Sequence, residues 1–402
     1  VAESQFGGLA MDILRLGRLV GIPKPDNDGL RPIVVSSFLT KLAGSLIWRS
    51  AHPKCSRDQF AIQQSRGAER IIHKTRLLYE AEQAVIRIDV SNAFNTASRS
   101  LIRRLLQTAD PDVLQFFRTM YIPAAKLAIF GKDSETIFID FVEGVRQGDA
   151  FSGYFFCILM DAVILEFKER RSEGSTTIMS FMDDLTITCN PEHAADVANA
   201  AIAALEKFGF HVNLGKCAII AKAHIVLPEC VFPRKSACQR FQVLGANISD
   251  DYTEFNDRQQ QKLTKFFTQI DQLNVHPHLK FTMLRLCGSP KLVYYAQTTP
   301  PEHSAAVTTF FDREIKQLTE KVIAPIDANI FYDVKGAGFP HYTTNAKLLY
   351  DVSKKMALED LPPCRVELAS PPVDPKDPQT AAHLDAQLDA HWIYFNRPTE
   401  FI

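Results

Sequence analysis

Two adjacent aspartates, Asp183 and Asp184, sit in an otherwise apolar and β-branched stretch that runs from Ile178 to Thr188. The flanks read as two strands, and the acids fall where a tight hairpin would turn. Carboxylates held side by side repel, and burial pushes one of them towards its neutral form, so a cation belongs with them. Oxygen-only ligands favour a hard ion such as Mg²⁺. The pair alone is a weak signal. With 46 acidic residues in 402, chance gives about five adjacent acidic pairs. Asp250-Asp251 and Glu359-Asp360 are two others, and they read as solvated turns.

A third acid has a similar setting. The run Val85-Ile86-Arg87-Ile88-Asp89-Val90 has the pattern of a buried strand with an acid near its end. Asp89 is expensive there unless it is paired or bound to metal. Strand ends are common site positions in open α/β sheets. Two cations, Lys24 and Arg31, stand on opposite arms of a Pro- and Gly-bracketed hairpin at 21–35. From there they could close over a triphosphate. A polar loop, Glu143-Gly144-Val145-Arg146-Gln147-Gly148-Asp149, opens into an apolar helix. Its two glycines could let the backbone approach a base pair or sugar closely.

Several elements must position these groups. Residues 1–20 are amphipathic and read as helix, as does most of 36–84, with a loop at 63–67. A helix follows Asp89 from about Ser98, and another precedes two strands around 126–130 and 136–142. His193 to Gly209 is an alanine-rich helix capped by glycine. Residues 210–220 return as a strand. Phe241 to Ile248 reads as one arm of a small hairpin, and 256–322 turns helical. The Pro-rich stretches at 362–363 and 371–378 read as linker.

Composition bounds the rest. The chain is 46% hydrophobic and 23% charged, which is globular, and long enough for two or three domains. A net charge of −1 does not advertise a nucleic-acid partner, so any basic groove must be local. Eight cysteines without a Cys-x-x-Cys read as reduced thiols of an intracellular protein. Cys217, His224, Cys230 and Cys238 are too loosely spaced for a convincing zinc site. No signal peptide and no apolar run of about 18 residues is present, so no membrane span is expected. The abrupt start at Val1 suggests a piece of something longer.

Taken in order, these stretches resemble a reverse transcriptase, most closely the polymerase of non-LTR retrotransposons. The similarity covers roughly residues 20–320. Ile-Pro-Lys-Pro…Arg-Pro-Ile at 22–33 resembles the fingers motif. Arg-Ile-Asp-Val-Ser-Asn-Ala-Phe at 87–94 resembles the first palm motif, and Gly-Val-Arg-Gln-Gly-Asp at 144–149 the second. Phe-Met-Asp-Asp at 181–184 resembles the third, Asn-Leu-Gly-Lys at 213–216 the fourth, and Val-Leu-Gly at 243–245 the primer grip. Leu284 through Pro301 looks like the thumb of the same group. Two positions depart from the pattern: Asn95 stands where Asp is usual, and Gly153 where Pro is frequent.

The resemblance implies an α+β right-hand polymerase with fingers, an antiparallel-sheet palm and a helical thumb. The expected boundaries are 1–84 fingers, 85–109 palm with the first motif, and 110–142 as the fingers–palm connection. Residues 143–250 would be palm with the aspartate hairpin and primer grip, 251–322 thumb, and 323–402 a partly linker-like extension. The implied activity is RNA-directed DNA synthesis by two-metal nucleotidyl transfer, with Mg²⁺ (two ions) or Mn²⁺ as cofactor. Asp89, Asp183, Asp184 and the Val90 carbonyl would hold metal, with Lys216 as proton donor. Lys24, Arg31, Asn92, Ala93, Phe94, Gln147 and Gly148 would bind the nucleotide. Phe94 would lie beneath the sugar and exclude a 2′-hydroxyl. Leu244 and Gly245 would grip the primer. The implied partners are an RNA template, a DNA primer and dNTPs, and the implied site of action is nuclear. An RNA-directed RNA polymerase and an inactive palm-fold RNA-binding scaffold are the alternatives. The aromatic at 94 argues against the first, and retention of all three acids against the second.

Overall fold

The computed structural model describes residues 8–24, 29–108, 111–131, 135–171, 176–323, 325, 328–332, 338–359, 365–368 and 391–394. The chain runs α1 (Gly8–Arg15), β1 (Gly17–Pro23), β2 (Leu30–Val35), α2 (Phe38–Ala51), α3 (Gly67–Glu80), β3 (Ala84–Ile88), α4 (Ala93–Thr96), α5 (Arg99–Leu105), α6 (Pro111–Tyr121), β4 (Ala125–Phe130), β5 (Thr136–Phe141), α7 (Ser152–Arg170), β6 (Thr177–Phe181) and β7 (Asp184–Cys189). It continues with α8 (Ala194–Lys207), β8 (Ala218–Ile220), β9 (Arg234–Lys235), β10 (Gln242–Val243), β11 (Ala246–Asn247), α9 (Thr253–Gln272), α10 (Pro277–Met283), α11 (Val293–Thr298), α12 (Pro301–Val322), α13 (Ala328–Tyr332), α14 (Tyr342–Leu358), β12 (Arg365–Leu368) and β13 (His391–Tyr394).

These elements form two compact units. The first takes Val1–Gln64 and Glu82–Arg234, and the second takes Ser65–Ala81 and Lys235–Thr399. The first unit holds two sheets. One has the order β2-β1-β4-β5; the other, β6-β7-β3-β8-β9, places β3 at its centre. The sequence of β3, Ala-Val-Ile-Arg-Ile, suits that place, because a central strand covered on both faces reads as a continuous apolar run. Helix α7 buries a broad apolar face from Tyr154 to Phe167 and leaves one stripe, through Ile158, Ala162 and Leu165, partly exposed. So wide an apolar face belongs against a core, and its rings pack there: Phe155 edge-on to Phe117 at 4.9 Å and Phe156 stacked on Phe94 at 4.5 Å.

The second unit has its own core of Phe255, Phe267, Phe311, Ile315, Tyr342 and Leu349, drawn from α9, α12 and α14. Helix α3 belongs to it. Its buried Arg76 donates to the carbonyls of Asn247 (2.9 Å) and Thr298 (2.8 Å), and its buried His73 meets the Ser353 hydroxyl at 3.0 Å. Among the described residues, no helix is long and apolar enough to cross a membrane.

Several expectations need correcting. Helix α1 ends at Arg15, and 17–23 is strand: Gly17 lets β1 close on β2, since a Cβ there would lie 2.4 Å from Val34 Cγ1. In 210–220 only β8 is strand, because the Lys216 and Cys217 N–H groups fold back onto the Asn213 carbonyl. Residues 241–248 supply both arms of a hairpin, not one. The compact units also divide the chain differently from the expected boundaries. Helix α3 leaves the 1–84 segment for the second unit, and 235–250 separates from 143–234. Helix α14 lies in the tail expected to be partly linker-like, yet it buries Tyr342, Leu349 and Met356. Positions 362–363 and 371–378 lie outside the described residues.

Candidate active site

Strand register brings the acids together. Strand β3 pairs antiparallel with β7 (Ile88 opposite Leu185), so one further residue sets Asp89 across from Asp184. Strands β6 and β7 form a hairpin closed at Phe181–Asp184, which leaves Met182-Asp183 as a two-residue turn. Burial pushes the Asp183 carboxyl above the usual carboxylate range; the charge of Asp89 adds to this, and the Arg31 guanidinium opposes it. Asp184 is pushed up to about 6, by burial first and then by the charges of Asp183 and Asp89, against Arg87. Three acids and one cation of the β1–β2 hairpin therefore share one electrostatic field.

That field is not yet a coordination sphere. Among the described residues, no three His, Cys, Asp or Glu side chains form a group that could hold a metal ion as they stand. Like charges keep apart until a cation draws them in, and Mg²⁺ usually takes much of its shell from water and substrate phosphate. The donor chemistry does fit such an ion: the set is all oxygen, and the raised carboxyls lose their penalty when a divalent charge arrives.

The aspartate turn is tightly held. Met182 has φ +55°, and Asp183 is not in the left-handed region, the signature of a type II′ hairpin turn whose first position favours glycine. The Met182 side chain lies against α7. Its Sδ is 3.7 Å from Cys157 Sγ, and a Cβ on Gly153 would stand 3.2 Å from its Cε. Gly153 thus leaves the methionine room where proline would crowd it. The buried Gln59 side chain accepts from the Met182 N–H (3.1 Å) and donates to Ser180 Oγ (3.0 Å), and Ser180 Oγ donates to the Met182 carbonyl (2.9 Å). Nothing in the sequence singled out Gln59: a lone amide in a loop has no period to betray it.

Around the acids, three backbone segments lock together. The Val145 N–H donates to the Phe94 carbonyl at 2.8 Å, and Gly144 packs so closely that a Cβ would lie 2.3 Å from the Asn95 carbonyl oxygen. The Val34 N–H donates to the Gln147 carbonyl at 2.8 Å, and a Cβ on Gly148 would meet the Val34 carbonyl oxygen at the same distance. Gln147 and Gly148 are thereby fixed to β2, the strand that carries Arg31. Arg99 and Arg146 support this loop from beneath. Arg99 donates to the carbonyls of Gly144, Tyr121, Phe141 and Glu143. The buried Arg146 guanidinium stands 5.6 and 5.7 Å from the Tyr121 and Phe141 ring centres, a cation–π setting.

The remaining expected residues are placed as follows. Lys24 closes the β1–β2 hairpin through its N–H to the Gly29 carbonyl (3.0 Å). Asn92 has φ +49° and opens α4, so its own N–H and that of Ala93 have no partner among the described residues. Val90 bridges to Val212. Exposed Lys216 lies just before β8, where the β3–β8 register, continued by two residues, runs opposite Asp89. Leu244 and Gly245 belong to the second unit, where they form a two-residue turn with φ +47° and +84°. The Tyr294 hydroxyl donates to the Leu244 carbonyl at 2.6 Å.

Residues 22–248 match the family described as reverse transcriptase (RNA-dependent DNA polymerase). The chain is 22% identical over 326 residues to the retrotransposable element SLACS 132 kDa protein of Trypanosoma brucei gambiense, covering 77% of this chain and 26% of that protein. It is 24% identical over 273 residues to the retrovirus-related Pol polyprotein from type-1 retrotransposable element R2 of Popillia japonica, covering 62% of this chain and 44% of that protein. It therefore spans less than half the length of either relative. A telomerase structure from Candida albicans overlaps 86% of this chain and 60% of that one at 13% identity, with a TM-score of 0.48, too remote a likeness to carry an argument.

Proposed function

Since the chain belongs to the reverse transcriptase (RNA-dependent DNA polymerase) family, of the non-LTR retrotransposon kind, we propose that it extends a DNA primer along an RNA template by nucleotidyl transfer from dNTPs. The observation that carries this reading is the β3–β7 register, which sets Asp89 beside the Asp183-Asp184 turn. Asp89, Asp183 and the Val90 carbonyl would hold two Mg²⁺ (or Mn²⁺) ions, with Asp184 as the outer ligand. Bound there, such ions stabilise the attacking and leaving oxygens of an in-line displacement.

The chain's own groups do the positioning. The charge of Arg31 acts on Asp183, and an incoming triphosphate would give its guanidinium an anion to bind, together with Lys24. The N–H groups of Asn92 and Ala93 point donors at the same phosphates. Phe94, backed by Phe156 in a near-parallel stack at 4.5 Å and 12°, cannot retreat into the core. A rigid ring beneath the sugar excludes a 2′-hydroxyl by contact. Gln147 and Gly148, tied to β2, line the base. Lys216 is the proton donor to the leaving pyrophosphate, and Leu244-Gly245 grip the primer. The site of action we propose is nuclear.

Primer extension on an RNA template, with dNTPs and rNTPs in competition, tests the reading. Metal-dependent incorporation of dNTPs alone is expected, and Phe94→Ala should admit ribonucleotides. Preferred rNTP incorporation by the wild type would make the chain an RNA-synthesising polymerase. No extension under any metal would leave an RNA-binding scaffold.

A further inference from the structure

Gln59 is 0% exposed, and it lies in the stretch 52–66, which has no helix or strand of its own. Its amide orientation is forced. One end accepts from two backbone N–H groups, Met182 (3.1 Å) and Ala61 (3.2 Å), so that end is the oxygen. The other end is then the donor to Ser180 Oγ. Ser180 Oγ accepts from Gln59, so its own proton is free to go to the Met182 carbonyl. The N–H and the C=O of one residue, the one with φ +55°, are thus both held by a buried two-residue relay.

The segment does not need this amide for anchorage. The Ser180 N–H donates to the Asp58 carbonyl and the Phe60 N–H to the Ser180 carbonyl, each at 2.8 Å. Ser56 donates twice to Asp161, at 2.7 and 2.6 Å, and Lys168 pairs with Asp58 at 2.6 Å. With the loop already fixed to the edge of β6, the Gln59 side chain is left for the turn.

We propose that Gln59, acting through Ser180, is a positioning residue for metal binding: the pair sets the peptide planes around Met182 and hence the direction in which Asp183 leaves the sheet. A left-handed methionine costs roughly 1–3 kcal/mol, and without the relay the turn relaxes and Asp183 swings away from Asp89. The inference rests on the reading of Asp183 as a metal ligand.

The test is Mn²⁺ binding to the full chain, followed by electron paramagnetic resonance of the free ion, alongside the Mg²⁺ dependence of primer extension. Gln59→Leu keeps volume and removes the bonds. It should weaken Mn²⁺ binding and raise the apparent KM for Mg²⁺ by about 10- to 100-fold, the range for outer-shell partners of metal ligands. The KM for dNTP and the affinity for primer–template should stay within about twofold. Adding Ser180→Ala to Gln59→Leu should cost little more, because one relay is already broken. Ser56→Ala weakens the same segment without touching the amide, and it should lower Tm with unchanged metal affinity. Wild-type Mn²⁺ affinity in folded Gln59→Leu overturns the proposal, as does an equal loss in Ser56→Ala. Asp183→Asn separates the two levels. If it leaves Mn²⁺ binding intact, the ligand assignment fails and this inference with it; if it abolishes binding while Gln59→Leu does not, only the inference fails.

Discussion

The Met182-Asp183 and Leu244-Gly245 hairpins both turn through left-handed residues, and they solve the same backbone problem differently. At Met182-Asp183 the sequence offers neither glycine nor asparagine, so a buried amide and a hydroxyl supply the support. At Leu244-Gly245 both central residues have positive φ, as a type I′ turn requires, and glycine takes one of them at no steric cost. There one phenolic hydroxyl, from Tyr294, suffices. The difference teaches where side-chain identity matters. At the first turn the position that glycine would fill most easily holds Met182, whose side chain packs on α7, so the turn draws its rigidity from distant parts of the chain. A turn that presents backbone can keep its glycine.

The strongest way to break the contrast is Asp183→Asn. Extension should fall by about 10³-fold or more, as when a pre-placed group is removed from a transition-state site, while primer–template affinity in a filter-binding assay stays near wild type. Substantial residual extension would mean that the first turn is not the chemical one.

Acid attacks the surroundings of the second turn instead. Burial holds His73 down to about 3, from an ordinary 6.5, and the nearby Arg76 charge adds to this. The folded-state value is depressed, so stability from neutral His73 is complete above pH 6.5 and is lost as pH falls from 6.5 towards 3. The slope is about 1.4 kcal/mol per pH unit at most. Urea melts between pH 7.5 and 4.5 should show this loss, and His73→Gln should flatten it. An identical pH profile in the variant would place the acid sensitivity elsewhere.

A smaller effect sharpens the comparison. Tyr294→Phe removes one hydrogen bond worth about 1 kcal/mol. The KM for primer–template should rise by about 5-fold with kcat nearly unchanged, the reverse of the Asp183→Asn pattern. The smallest effect is on stability alone. Gly245→Ala places a Cβ at φ +84°, although the nearest atom, Tyr294 Cε1, is 3.8 Å away. A cost of about 0.5–1 kcal/mol in chemical denaturation follows from backbone strain and not from a clash.

The sequence displayed what is periodic or out of place locally. Asp89, Asp183 and Asp184 were legible because an acid at the end of an apolar strand is conspicuous, and β3, β4, β5 and α8 because their apolar residues keep time. It hid what is fixed by partners far away. Gln59 reaches Ser180 across 121 residues and leaves no local trace. The first half of strand β1, residues 17–20, reads as helix in the sequence because its apolar residues fit either period over so short a span, while 21–23 reads as strand. Helix α14 was hidden behind a proline-rich neighbourhood, and the second arm of the 241–248 hairpin was too short, at two residues, to register as a strand.

Helix α3 carries a consequence for how the protein can be made and cut. Its Arg76 waits for acceptors 171 and 222 residues downstream, and His73 for a hydrogen-bond partner 280 residues on. During synthesis this helix emerges long before its partners, with Ile71 and Ile72 uncovered, so chaperone occupancy should concentrate there. A protease nick near residue 235 would not release two self-sufficient pieces: the C-terminal piece would lack an internal strut, and the N-terminal piece would trail an orphan.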